Sequence, residues 1–238
     1  MKGLIIIIGE CFRTGGQGTR IRGNSESYKE QKEASLTHIK LLEEKKCDCV
    51  ILTYTTQYDD ELLSWYKEYL IDKEILNDPI GYDNLYYKAV NKWKNIFNNY
   101  DYIFFSRIDL CYKDNFYNVF SPPYEKIMFP FICWVNGNWH HHLNSPRPSD
   151  LFLYIPKSKY QKLFFGTYKE SPLCHTGWYT LINSYFNEDE IDVLINTFHD
   201  SNPQIDYNPF YTIANRPHTN EWYTKNLIFN KKTFHTLI

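Results

Sequence analysis

The sequence lacks both the charge excess of a nucleic-acid-binding protein and the long apolar runs of a membrane protein. Its 26 Lys and Arg side chains face 28 Asp and Glu side chains, which gives a formal net charge of −2. This balance disfavours polyanion binding, which needs a strong positive field. The strong apolar run near the start, residues 4–8, is far too short to cross a bilayer, and no small-residue cleavage site follows it. We therefore predict a cytoplasmic protein with no membrane span, in which this run is the first β-strand.

Cysteines are few and scattered, with six in 238 residues, and only Cys47 and Cys49 lie close together. On a strand these two would point to the same face, but without a second pair they lack the spacing of a zinc site. We expect free, buried thiols in a reducing compartment. No repeat, low-complexity tract or long linker divides the chain, so its length and its 43% hydrophobic content favour one domain with a substantial core.

Aromatic residues are abundant, at 18% of the chain. Aromatic rings that carry a polar group, such as those of Tyr and Trp, are suited to the walls of sites that stack on flat or carbohydrate-like ligands. Nucleotide bias in the gene explains the same abundance. Strand-like and helix-like segments alternate, which predicts an α/β fold with a mainly parallel sheet and covering helices. Strands are predicted over residues 3–9, 47–54, 100–110, 126–135 and 149–155, and helices over 25–46, 59–70, 82–98, 158–165, 175–187 and 188–198. Pro130 interrupts the strand-like segment 126–135, which predicts an edge position or a bulge there.

The apolar run over residues 100–110 is the most informative segment, because it ends in one carboxylate beside an arginine. A strand buried on both faces reads as a continuous apolar run, and ligands in open α/β sheets collect at the carboxyl ends of such strands. Asp109 at this end could hold a divalent metal against a diphosphate. Arg107, on the same side of the strand, could pair with the phosphate directly. The alternative is an Arg–Asp salt bridge that only caps the strand.

The segment FSRIDL, residues 105–110, resembles glycosyltransferases of the GT-A type, whose D-x-D motif holds the metal and the sugar nucleotide. The likeness is closer to the R-x-D-L form of some lipopolysaccharide-type and large-DNA-virus glycosyltransferases. Residues 149–152, SDLF, are similar to a second Asp-containing strand of those enzymes. Arg107 stands in place of the first Asp of D-x-D, which leaves metal dependence open.

This resemblance implies a GT-A-like, Rossmann-like mixed sheet and transfer of a sugar from a nucleotide-sugar donor to a glycan or other hydroxyl acceptor. It also implies a divalent cation, Mn or Mg. A nucleotide-binding half would cover about residues 1–110, and an acceptor-binding half about 111–238. Donor binding is expected from Gly9, Glu10, Arg13, Arg20, Arg22, Thr53, Tyr54 and Arg216.

The remaining candidate residues have chemical roles that follow from the same reading. Closely spaced arginines can clamp a pyrophosphate bidentately, or they can be solvated loop charges. Asp150 is the candidate base that takes the acceptor proton in an inverting transfer; alternatively, it caps the backbone of Leu151 or binds acceptor hydroxyls. Metal binding is expected from Asp109 and His218, charge stabilisation from Arg107, and acceptor binding from Trp134, Trp139 and His141.

A second resemblance competes with the first. Residues 15–20, GGQGTR, look like the G-G-x-G-T-R signature of sugar-phosphate nucleotidylyltransferases, whose glycines allow close backbone approach to phosphates. Here residues 9–14 separate these glycines from the first strand, and no proline follows until Pro79. The alternative is that this glycine-rich segment is only a mobile surface loop. A non-catalytic carbohydrate-binding protein that uses Trp and Tyr loops is the third reading.

Overall fold

A seven-stranded mixed sheet with helices on both faces forms the centre of the protein, in a computed structural model that describes residues 1–15, 21–80, 82–130, 132–133, 147–148, 151–164, 186–194, 198–199 and 210–214. The strands are β1 (Gly3–Gly9), β2 (Cys47–Tyr54), β3 (Leu70–Leu76), β4 (Tyr102–Arg107), β5 (Leu110–Tyr112), β6 (Ile127–Phe129), β7 (Ile132–Cys133), β8 (Arg147–Pro148), β9 (Phe152–Pro156), β10 (Ile191–Val193), β11 (Phe198–His199) and β12 (Tyr211–Ile213). The α-helices are α1 (Tyr28–Lys45), α2 (Asp59–Tyr66), α3 (Tyr82–Trp93), α4 (Asp114–Val119) and α5 (Lys157–Phe164).

The large sheet has the strand order β10-β6-β9-β4-β1-β2-β3. Strands β3, β2, β1 and β4 run parallel, β9 runs antiparallel to both β4 and β6, and β10 runs parallel to β6. Two small sheets accompany it, one of β11, β7 and β8 and one of β12 and β5. This arrangement confirms the predicted mixed, mainly parallel α/β sheet.

The central strands are apolar on both faces because helices cover both faces. Every residue of β1 is buried. Ile5 and Ile7 pack in the core that α1, α2 and α4 cover, while Ile6 and Ile8 pack in the core that α3 and α5 cover. None of the helices within the described ranges is both long and apolar enough to cross a bilayer.

Several predicted elements are confirmed with little change. Strands β1 and β2 have the predicted bounds, and α1 follows a short 3-10 turn over Ser25–Ser27 within the predicted range. The helix predicted over 82–98 consists of α3 and then a 3-10 helix, Lys94–Asn99. The predicted helix over 158–165 corresponds to α5. Cys11, Cys47 and Cys49 are free and buried, as expected.

Other predictions were wrong at edges of the sheet. The helix predicted over 59–70 ends at Tyr66, and the unpredicted β3 begins at Leu70. As an edge strand β3 is largely exposed or half-buried, so its sequence shows no continuous apolar run. In the described part of the helix predicted over 188–198, a 3-10 turn at Glu188–Glu190 is followed by strand β10, because Ile191 and Val193 alternate around Asp192 and pair with β6.

In the second half of the chain the break expected at Pro130 is present, while other predictions differ from the structure. The predicted strand over 126–135 is divided into β6 and β7 around Pro130, which fits the loss of a ladder donor at proline. Strand β9 begins at Phe152, three residues later than predicted, and α4 was not predicted. The helix predicted over 175–187 lies outside the described residues except for its last two positions.

Candidate functional site at the switch point of the sheet

The strand order reverses between β1 and β4, which makes this the switch point of the sheet. From β1 the chain proceeds to β2 and β3 on one side, whereas β4 lies on the other side of β1. The carboxyl ends of β1 and β4 are neighbours, because Ile8 pairs with Arg107. In open α/β sheets the crevice at this position is where ligands bind.

Five charged residues meet at this point and are called here the switch-point cluster: Glu10, Arg13, Arg22, Arg107 and Asp109. Arg107 donates two hydrogen bonds to Asp109, from Nε to Oδ1 at 2.8 Å and from Nη2 to Oδ2 at 2.5 Å. Arg13 reaches the same carboxylate, with Nη2 3.5 Å from Oδ2. Arg13 also donates from Nη1 to Glu10 at 3.2 Å, and Arg22 Nε lies 4.0 Å from Glu10. The cluster therefore holds three guanidinium groups around two carboxylates.

Burial divides the switch-point cluster into an inner and an outer part. Arg13, Arg107 and Asp109 are only 6%, 6% and 5% exposed, respectively. Buried charges of this kind persist only when they are paired and hydrogen-bonded. The side chain of Arg22 is 29% exposed and that of Glu10 is 15% exposed. The outer part thus presents Glu10 and Arg22 toward solvent.

Tyr54 and Thr53, at the carboxyl end of β2, adjoin the cluster. The guanidinium carbon of Arg22 lies 4.9 Å from the centre of the Tyr54 ring, within cation–π range. The buried Thr53 hydroxyl donates to the carbonyl of Gly9 at 2.8 Å and lies 3.2 Å from the Cys11 Sγ. Burial raises the pKa of the Cys11 thiol to about 11, although the Thr53 hydrogen bond opposes the shift. The thiol is therefore protonated at neutral pH, and Thr53 fixes the end of β1.

Gln31 is a site residue that sequence reasoning missed. Its side chain lies on α1 and is 1% exposed. It accepts a hydrogen bond from the Phe12 N–H at 3.1 Å and donates to the Ile108 carbonyl at 2.9 Å. Phe12 precedes Arg13, and Ile108 lies between Arg107 and Asp109, so one amide ties together the two loops that carry the inner cluster. A glutamine among the charged residues of a helix gives no sequence signal of this role.

The loop after β1 is further fixed by aromatic packing. Phe12 has a left-handed backbone, with φ of 48°, which is uncommon for a bulky residue. Its ring lies 4.8 Å from Tyr58, 5.8 Å from Tyr28 and 6.0 Å from Trp65, measured between ring centres. This packing holds the unusual conformation and, with it, the position of Arg13.

Seven of the predicted site residues lie outside the described residues: Arg20, Trp134, Trp139, His141, Asp150, Arg216 and His218. Two described residues close to them in sequence contact the backbone of the cluster. The Leu151 carbonyl, next along the chain from Asp150, accepts a hydrogen bond from the Arg107 N–H at 3.1 Å. The Ala214 N–H, two residues before Arg216, donates to the Asp109 carbonyl at 2.8 Å. Leu151 and Ala214 therefore lie beside the switch-point cluster.

The described residues do not fit the divalent cation that the D-x-D resemblance implied. Both oxygens of Asp109 already accept hydrogen bonds from Arg107, and Arg13 lies beside the same carboxylate. Mn and Mg prefer several oxygen ligands. Over the described ranges no group of three or more His, Cys, Asp or Glu side chains is placed to hold a metal. His218, the second predicted ligand, lies outside those ranges.

No protein-family model matches the sequence, and a search of the curated proteins finds no significant match. Among solved structures, the chain is similar at 10% identity and a TM-score of 0.46 to a protein described as a nucleotide-diphospho-sugar transferase from Desulfovibrio desulfuricans, with 80% of each chain covered.

Two further solved structures have the same identity and TM-score. One is a Drosophila galactosyltransferase in complex with manganese, UDP-Gal and xylobiose, with 98% of this chain and 79% of that chain covered. The other is the inositol-1-phosphate CTP transferase from T. maritima, with 98% and 94% covered.

Proposed function

We propose that this chain is a glycosyltransferase that moves a sugar from a nucleotide-sugar donor to a hydroxyl group of a glycan or similar acceptor. The observation that carries the proposal is the placement of Arg13, Arg22 and Arg107 together at the switch point between β1 and β4. A nucleoside diphosphate is the leaving group of such a reaction, and it gains negative charge as it departs. Guanidinium groups fixed in advance at that position stabilise the developing charge.

The proposed reaction breaks the bond between the anomeric carbon and the diphosphate oxygen and forms a bond from the acceptor oxygen to that carbon. The acceptor proton must go to a base, and Asp150 is proposed for this role in an inverting transfer. Support comes from Leu151, the next residue, whose carbonyl binds the backbone of Arg107. Arg216 is proposed to contact the diphosphate, since Ala214 is bonded to the backbone of Asp109. Trp134, Trp139 and His141 are proposed to contact the acceptor.

Donor turnover tests the proposal directly. We expect the protein to release a nucleoside diphosphate from at least one member of a panel of nucleotide sugars, faster when acceptor sugars are present. Arg22→Gln should lower kcat/KM by about 10- to 100-fold, because a charged hydrogen bond of about 1.5–3 kcal/mol is lost. Lys32→Gln removes one positive charge from the exposed face of α1 and should leave the rate unchanged.

Other products would identify the alternatives. Formation of pyrophosphate from a nucleoside triphosphate and a sugar phosphate would favour the nucleotidylyltransferase reading of the glycine-rich loop. Sugar binding without nucleotide, unaffected by Asp109→Ala, would favour a carbohydrate-binding protein. Either result, with no nucleoside diphosphate released from any nucleotide sugar, would overturn the proposal.

A further inference from the structure

We infer that the switch-point cluster neutralises the diphosphate of its donor with arginine side chains and without a divalent cation. This inference rests on the proposed function and specifies how its binding site works. Asp109 was expected to be a metal ligand; in this inference its role is instead to position Arg107. Three features of the cluster support it.

The first feature is the pairing of Asp109. The two hydrogen bonds from Arg107, at 2.8 and 2.5 Å, form a bidentate pair that engages both carboxylate oxygens. If a cation bound this carboxylate, Arg107 and Arg13 would be buried beside a further positive charge and would lose their hydrogen-bonded partner. Separating a buried pair in this way is strongly unfavourable, because the remaining charge loses its compensation. Asp109 therefore fits the role of holding a guanidinium group in place.

The second feature is the position of Glu10 beside two guanidinium groups. Its carboxylate lies between Arg13 and Arg22, at 3.2 and 4.0 Å from their nitrogens, both longer than the contacts between Arg107 and Asp109. Glu10 is also in the more exposed part of the cluster. A phosphate oxygen could replace this carboxylate and bind the same two guanidinium groups with more negative charge. Glu10 thus lies where an anionic ligand would compete with it.

The third feature is an unsatisfied donor on Arg13. Its Nε is buried and has no hydrogen-bond partner within the part of the chain that the structure describes. Buried polar groups are nearly always hydrogen-bonded, so such an atom calls for an explanation. A phosphate oxygen is an acceptor that would satisfy it. With three guanidinium groups and two carboxylates, the cluster carries one net positive charge, which attracts a diphosphate and repels a divalent cation.

Calorimetric titration with nucleoside diphosphates tests the inference without any need for turnover. UDP, GDP, CDP and ADP are titrated into the intact chain, first with EDTA and then with MnCl2. We expect the tightest of them to bind with a Kd that differs by less than about threefold between the two conditions. Arg13→Gln should weaken binding about tenfold or more in both. Glu10→Gln should tighten it in both, because the competing carboxylate becomes neutral.

Matched variants guard against loss of folding. Arg13→Lys keeps the positive charge but not the forked donor geometry, so it should retain part of the affinity if Arg13→Gln unfolds. Lys32→Gln, at an exposed position on α1, is the control for net charge. Circular dichroism melts accompany each variant.

Two outcomes separate this inference from the proposed function. Binding that requires manganese and is abolished by both Asp109→Asn and Glu10→Gln would overturn the metal-free site but leave a nucleotide-sugar enzyme intact. No binding of any nucleoside diphosphate in either condition would overturn the proposed function, and this inference with it.

Discussion

At the scale of single residues, the Arg107–Asp109 pair shows how far a local motif can be interpreted. The sequence places the two side chains two positions apart at the end of an apolar strand, which is compatible with a phosphate-binding arginine, a metal-binding aspartate or a salt bridge. The structure joins them in a buried bidentate pair with Arg13 beside it. Arg13 is the residue that favours the salt bridge over the other two roles, because it lies beside Asp109. Arg13 is distant in sequence, and no local pattern predicts that it approaches Asp109.

Replacing Gln31 tests how much a single buried side chain contributes to the stability of the site. Gln31→Met keeps the length and apolar bulk of the side chain but removes both hydrogen bonds, so the Phe12 N–H and the Ile108 carbonyl lose their bonds to the Gln31 side chain. We expect the free energy of unfolding to fall by about 2 kcal/mol or more, since a buried unsatisfied group costs about 1–3 kcal/mol. Urea unfolding followed by circular dichroism measures this change.

The same substitution tests whether Gln31 positions the inner cluster. The folded fraction of Gln31→Met should bind nucleoside diphosphates more weakly than the wild type, because the loops carrying Arg13 and Arg107 are no longer tied together. Lys32→Met, the next residue and an exposed one, is the matched control and should shift stability by less than about 0.5 kcal/mol. Equal stability losses in the two variants would contradict the role assigned to Gln31.

At the scale of elements, the site depends on how closely the ends of β1 and β4 approach each other. Gly9 closes β1 with a φ of 136°, a conformation that side chains rarely adopt. A Cβ atom at this position would lie 3.2 Å from Ile108 Cγ2, which is tighter than ordinary contact. Glycine here lets the loop that leads to Arg13 pass directly beside the residue between Arg107 and Asp109.

Gly9→Ala is therefore expected to destabilise the protein by about 1–3 kcal/mol, through backbone strain together with the contact on Ile108. Gly23→Ala is the matched comparison, since Gly23 has a φ of 66° but its Cβ would meet Thr56 at an ordinary 3.6 Å. That change should cost about 1 kcal/mol from the backbone alone. Thermal melts of both variants show which one loses more stability. A larger loss of stability for Gly23→Ala would contradict the close approach proposed at Gly9.

At the scale of the whole molecule, a helix on one face of the sheet brings a buried titratable group near the site. His38 on α1 is 1% exposed, and its Nδ1 lies 2.8 Å from the Tyr66 hydroxyl. Burial lowers the pKa of His38 to about 3, although the negative charge of Asp109 opposes the shift. The native protein therefore keeps this imidazole neutral over the pH range in which an unfolded chain protonates it.

Stability should consequently fall as the pH decreases below about 6.5, the ordinary pKa of histidine. The unfolded state binds a proton first and the native state binds one only near the lowered pKa, so the loss approaches about 1.4 kcal/mol per pH unit within this window. Above the window both states hold a neutral imidazole, and His38 contributes no pH dependence. Urea unfolding at several pH values compares the wild type with His38→Asn.

Comparing the two proteins removes the contribution of the other ionisable groups, because these groups are the same in both. His38→Asn should be less stable at neutral pH but should lose less stability on acidification than the wild type. Parallel pH profiles for the two proteins would show that His38 is not held neutral in the native state.

The sequence by itself determined the central strands and the covering helices. Strands β1 and β2 and helix α1 follow from apolar patterns that burial on both faces of a sheet imposes on neighbouring residues. It also determined that Asp109, Arg107, Arg13 and Arg22 lie near carboxyl ends of strands, where ligands of such sheets bind. These inferences succeed because they depend on residues adjacent in the chain.

Only the tertiary structure decided which of these charges meet and what each one contacts. The edge strands β3 and β10 escaped prediction because they are short or only partly covered, so their identity comes from pairing with distant strands. The Gln31 bridge, the approach of Arg13 to Asp109 and the return of β12 beside β5 likewise join residues far apart in sequence. Contacts of this kind depend on the packing of whole elements, and a local pattern of residue types carries no record of that packing.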